Sequence, residues 1–218
     1  MNSFFATDGP FFTFIMKAGQ VIILTVMCLV FCIPVITIIP AFSALYYAVM
    51  KSVRRERGYI HKEFLRAFKH GLLKGIILTL MYGGFTAAII FNLYIVDESN
   101  ITFIASYVVL LVITAISFVH IIPVLSRFNM RTVEMIKLSF HMGIKHFHIT
   151  VLLLAGWALT VFLQIRVLPM VAITFLPGTW IYISTFLSEK VMRGYMEKII
   201  SAEENDDNSE TADKWYLE

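Results

Sequence analysis

Apolar residues in this chain come in long unbroken blocks rather than in alternation. Five stretches hold no Asp, Glu, Lys or Arg: Ala18–Ile39, Gly75–Val96, Ile101–Ser126, Ile149–Ile165 and Val167–Ser188, of 22, 22, 26, 17 and 22 residues. A helix rises about 1.5 Å per residue, so about 20 apolar residues cross the roughly 30 Å of hydrocarbon in a bilayer. The pattern predicts an all-α, polytopic integral membrane protein with five transmembrane helices over 18–39, 75–96, 101–126, 149–165 and 167–188. The fourth run is at the short limit for a span. The fifth holds Pro177-Gly178 at its centre, which leaves a full span and a kinked or re-entrant segment both open. Only Arg166 separates the last two runs, so their connection is a tight turn.

Between the blocks the pattern changes to a helical period. Ile60, Phe64, Phe68 and Leu72 fall on one stripe, with His61, Lys62, Arg66, Lys69 and His70 around the rest. In the next long connection Val133, Ile136, Phe140 and Phe147 face one way, and Arg131, Glu134, His141, Lys145 and His148 form a polar stripe. Both connections read as basic amphipathic helices in the cytoplasmic loops. They lie against anionic inner-leaflet lipid or dock a cytoplasmic partner, and the two roles need the same chemistry.

Charge placement sets the orientation. Pro40–Lys74 carries eight Lys and Arg, Arg127–His148 four, and the segment after Ser188 four, whereas the opposite side has only Lys17 and Arg166. Lys and Arg concentrate on the cytoplasmic side of membrane proteins. The 16-to-2 split predicts an outer N-terminus and a cytoplasmic C-terminus; four spans would give only 12 to 6. The first residues, with Phe4, Phe5, Phe11, Phe12 and Phe14 and no basic start, do not read as a signal peptide. Residues 1–200 read as one transmembrane domain. Residues 201–218 read as a disordered cytoplasmic tail, with seven acidic residues against Lys214.

Composition agrees with a bilayer setting: 58% of residues are hydrophobic and 15% charged, with a net charge of +3. That excludes an ordinary soluble domain and a nucleic-acid-binding module. Candidate chemistry is sparse. Cys28 and Cys32 share a helix face but make no zinc site alone. His146 and His148 point about 200° apart on a helix, which argues for a solvated or headgroup role rather than metal. The chain shows no phosphate-loop, Gly-x-Ser-x-Gly or His-Glu-x-x-His motif and no paired carboxylates within the runs. The expectation is therefore no enzyme, no catalytic residues, no cofactor and no metal. Gly83, Gly84, Ala87 and Ala88 form a small-xxx-small set that lets helices approach closely, with the oligomeric state open. A weak internal repeat pairs Ile38-Ile39-Pro40 with Ile121-Ile122-Pro123.

The corner after the first run has a mechanical reading. Pro34 frees a carbonyl and kinks the helix, Thr37 is placed to satisfy exposed backbone, and Pro40 stops the helix. Ala44–Val53 then starts a new helix along the membrane surface, turning at Arg54, Arg55 and Arg57. The candidate docking residues are Arg54, Arg55, Arg57, Arg66, Lys69, Arg131, Lys137 and Lys145; those of the kink and turn are Pro34, Thr37 and Pro40.

Pro34-Val35-Ile36-Thr37-Ile38-Ile39-Pro40-Ala41 with Ala44-Leu45-Tyr46-Tyr47, Arg55–Ile60, Phe64–Lys69 and Arg127-Phe128 resembles the YesL-like family of bacterial membrane proteins. The resemblance runs from about residue 5 to 195. It implies a bacterial plasma-membrane protein without established activity, accessory to carbohydrate uptake or its signalling. ABC importer subunits or a sensor kinase would then be its partners. The alternative is a small self-contained permease or channel-like carrier.

Overall fold

The computed structural model describes residues 10–55, 59–95, 101–166 and 169–204, without the side chains of 10–14, 169–176, 193 and 197–204. Phe4 and Phe5, the side chains of Phe11, Phe12 and Phe14, Arg57, Gly58, the 97–100 connection and residues 205–218 lie outside this description. All the described secondary structure is helical: α1 (Pro10–Phe31), α2 (Ile38–Ala48), α3 (Ile60–Ile95), α4 (Ile101–Arg127), α5 (Thr132–Lys145), α6 (Phe147–Arg166) and α7 (Pro169–Glu204). A short 3-10 turn, Val35–Thr37, leads into α2, and a π-type segment, Val49–Arg54, continues it.

Four stretches are long and apolar enough to cross a bilayer: Val35–Arg54, Ile60–Ile95, Ile101–Arg127 and Phe147–Arg166. The expected spans 101–126 and 149–165 fall within α4 and α6, and 75–96 coincides with α3 up to Ile95. The expected 167–188 overlaps α7 from Pro169 on; that helix passes Pro177-Gly178 without a break and is not among the four, so four candidates stand where five spans were expected. The amphipathic stripe from Ile60 and the 75–96 run are one helix of 36 residues. Phe64 and Phe68 are buried there, and their rings lie 5.6 and 4.7 Å from that of Phe31.

The single helix expected over 18–39 is two. α1 ends at Phe31 because Pro34 takes an extended conformation (φ −74°, ψ 112°) that cannot continue the helix. Thr37 closes the corner, its hydroxyl lying 2.6 Å from the Phe31 carbonyl and 2.5 Å from that of Pro34. Pro40 does not stop a helix but sits in the first turn of α2, where its missing N–H costs nothing. Ile33, Val35 and Ile36 on this corner are exposed and wholly apolar. They suit lipid contact.

Ala44–Val53 does not lie along a membrane surface. Every residue from Ile39 to Val53 except Phe42 is buried, with Ala41, Leu45, Ala48, Val49 and Val53 fully so. A helix apolar all round has no face to present to water and is stable only when surrounded. Here α2 runs antiparallel to α3: Pro40 packs on Gly75 and Lys51 pairs with Glu63. A Cβ at Gly75 would lie 2.6 Å from Pro40, so only glycine allows this approach. The neighbours that enclose α2 further are α4, α1 and α7.

The small-residue set on α3 is not used inside the chain. Gly83, Gly84, Ala87 and Ala88 are exposed, and nothing comes within 4 Å of a Cβ placed on either glycine. Close approach occurs instead where Gly143 meets Ile116 and where Gly156 meets Trp180. The second basic segment, α5, folds back along α4 with Met135, Ser139, Met142 and Gly143 against it.

Candidate functional site

The charges that bound the apolar runs collect at one end of the bundle, where α2 finishes, α3 begins and α4 ends. Arg127, the last residue of α4, is 0% exposed and Glu189 on α7 is 3% exposed. The guanidinium donates to Glu189 Oε1 from Nε at 3.0 Å and from Nη2 at 2.9 Å, and Nη2 also reaches Met50 Sδ at 3.0 Å. Arg55 approaches the other carboxylate oxygen of Glu189 at 3.9 Å. A second centre joins Lys51 and Glu63 at 3.3 Å, both buried, with Lys51 also donating to Tyr47 Oη and Arg66 completing the group. Isolated buried charges are costly, so Arg127 and Lys51 are each matched by a carboxylate from another helix, while the exposed Arg66 meets Glu63 within α3. The two centres clamp α2 between α3, α4 and α7.

The sequence-predicted docking residues divide into three kinds. Arg54 turns inward, donating to the Thr185 carbonyl at 3.1 Å and stacking 4.2 Å from the Phe186 ring centre. Arg55 is held at Glu189, and Arg57 lies outside the described residues. Arg66 and Lys69 on α3, with Arg131, Lys137 and Lys145 on the segment leading into and through α5, are exposed. Lys74 is tied to Asn129 Oδ1 at 2.5 Å, which joins the two basic segments.

A second polar group lies where α5 turns into α6. His120 is buried, and its Nε2 is 2.9 Å from Thr150 Oγ1. Thr150 in turn reaches the carbonyls of Gly143 and His146. Just outside it, the rings of His141 and His146 lie 6.2 and 6.3 Å from Tyr195, and Lys145 Nζ sits 5.5 Å from the same ring centre. Burial first, then Lys145, His148 and His141, hold His146 below the ordinary histidine range. Burial raises the Tyr195 phenol. Among the described residues no three His, Cys, Asp or Glu come together as a metal set.

The cavities are apolar. One of about 540 Å³ lies between the α1–α2 corner, α3 and α4, bordered by Val35, Ile39, Thr79, Tyr82, Thr86 and Thr114. Its main hydroxyls are occupied: Thr79 donates to Gly75 and accepts from Ile39, Tyr82 pairs with Ser117, and Thr114 donates to Leu110.

Sequence reasoning missed Glu63, Glu189 and Lys51. The available signal was that Arg127 and Glu189 each follow directly on a charge-free run, the position where membrane-protein charges find partners.

Together these features define an all-helical protein with several helices fit to span a membrane. The comparison with known families adds no activity: a family described as "Protein of unknown function, DUF624" matches residues 11–93, from α1 to nearly the end of α3. No curated protein and no solved structure matches the chain.

Proposed function

We propose that this is a non-enzymatic membrane protein that holds a partner at its basic end. The observation that carries this reading is the division of the cations there. Lys51, Arg54 and Arg127 are consumed in clamping the bundle, whereas Lys69, Arg131, Lys137 and Lys145 stand exposed on two segments joined by Lys74. The Lys and Arg asymmetry makes this end cytoplasmic, with the N-terminus outside and the C-terminus inside a bacterial plasma membrane. The YesL-like resemblance points to carbohydrate uptake or its signalling as the setting. An ABC importer subunit or a sensor kinase is then the partner class.

The test is affinity purification in mild detergent at native expression, comparing the wild type with Lys69→Glu/Arg131→Glu/Lys137→Glu. Each position is exposed, so the variant should insert and fold while losing co-purifying importer or kinase subunits. Undiminished recovery of the same partners would overturn the reading. A self-contained carrier is favoured only by the cavity of about 540 Å³. The hydroxyls of Thr79, Tyr82 and Thr114 are already paired and its lining is mostly apolar, so purified protein in liposomes should move no sugar from a broad panel.

A further inference from the structure

The corner between α5 and α6 gathers one ammonium and three imidazoles around a phenol. His141 and Lys145 come from α5, His146 from the junction, His148 from α6, and Tyr195 from α7 stands in their midst. No carboxylate pairs with any of these four basic side chains among the described residues. This differs from the Arg127 and Lys51 centres, where each buried cation has its carboxylate. The Tyr195 hydroxyl is shielded from solvent and has no hydrogen-bond partner. Three imidazoles, an ammonium and an unpaired phenol are a donor set that lacks an acceptor of negative charge.

The position narrows the choice of anion. His148 immediately precedes the charge-free run that begins at Ile149, so the cluster stands where apolar surface gives way to charge. That is headgroup depth. A phosphoryl group offers several acceptor oxygens to such a set and an opposite charge to Lys145. We infer that the corner formed by His141, Lys145, His146, His148 and Tyr195 binds a phosphoryl group, with an anionic inner-leaflet phospholipid as the source the location favours. The site shares Lys145 with the docking surface, whereas His141, His146, His148 and Tyr195 belong to this site alone, and the docking variant leaves all five residues in place.

Full-length protein in neutral detergent is titrated with short-chain phosphatidylglycerol and, separately, phosphatidylcholine, with bound lipid read by native mass spectrometry. Phosphatidylglycerol should bind in preference to phosphatidylcholine. Lys145→Gln should weaken it about five-fold, the effect of one cation near an anionic headgroup. His141→Gln/Lys145→Gln/His146→Gln should abolish the preference, at an unchanged melting temperature. Should the triple variant fail to fold, the exposed Lys145→Gln supplies the readout. Millimolar inorganic phosphate that leaves the lipid in place assigns the site to lipid; displacement assigns it to a soluble phosphoryl compound. Equal phosphatidylglycerol binding by the wild type and both variants would overturn the inference. Co-purification of partners reads the docking proposal independently, so either can fail alone.

Discussion

Replacing Glu189 with Ala tests the account of the buried charges most directly. The wild-type carboxylate receives two guanidinium hydrogen bonds from a fully buried Arg127. Its removal leaves that cation buried beside Met50 without the Glu189 carboxylate that receives it. Breaking a buried pair from one side typically costs about 3–5 kcal/mol. For a chain of this size 1 kcal/mol moves the melting temperature by roughly 2–4 °C, so the loss should be roughly 6–20 °C. Removing both charges is a different perturbation, since no ion is left uncompensated. Arg127→Met/Glu189→Leu should recover most of the loss and could equal the wild type. The assay is thermal unfolding of purified protein in detergent for Glu189→Ala and for Arg127→Met, Glu189→Leu and their double, the last three read as a double-mutant cycle. The reasoning fails if Glu189→Ala melts within about 1 °C of the wild type, or if the double variant is as unstable as the sum of the singles.

Three further outcomes follow from the geometry. Thr37→Val removes the hydroxyl that serves the Phe31 and Pro34 carbonyls and should cost about 1–3 kcal/mol, seen as a lower melting temperature; Thr37→Ser should restore it. Gly156→Ala drives a Cβ into the Trp180 ring and should destabilise the α6–α7 contact, whereas Gly84→Ala, which meets nothing, should be neutral in the same melt. His146 is held below its ordinary pKa, so the unfolded chain takes up its proton first as pH falls. Its contribution is complete above pH about 6.5 and declines below it. The wild type should therefore lose more stability than His146→Gln between pH 7.5 and 5.5, and equal losses would sink the assignment.

Much of the helix plan was legible because charge is excluded from hydrocarbon, and runs of 22, 26 and 17 residues without charge mark α3, α4 and α6 well. What failed was the assignment of faces. Gly83-Gly84 and Ala87-Ala88 carry the spacing of a packing motif, yet the close contacts fall at Gly75, Gly143 and Gly156. Spacing shows that a surface is small, not that another helix is opposite it. α2 escaped for a related reason. Its ending in Lys51, Arg54 and Arg55 looks like a surface helix until Glu63 and Glu189 are known to come to meet it. That second partner lies more than 130 residues further along the chain. Of the site, the exposed cations were visible as types, but their division into clamping and exposed sets depends on tertiary neighbours.

The pairing of Arg127 with Glu189 and of Arg54 with Thr185 also bears on the order in which the chain is made. The N-terminal helices leave the ribosome first, at roughly 5–20 residues per second, and α2 must settle against α3 and α4 while α7 is still unsynthesised. Until residue 189 emerges, the Glu189 carboxylate that receives Arg127 and the Thr185 carbonyl that receives Arg54 are not yet there. A nascent chain stopped short of α7 is thus an electrostatically unfinished object. Completion of the last helix acts as the closing step that distinguishes a finished protein from a fragment fit for degradation.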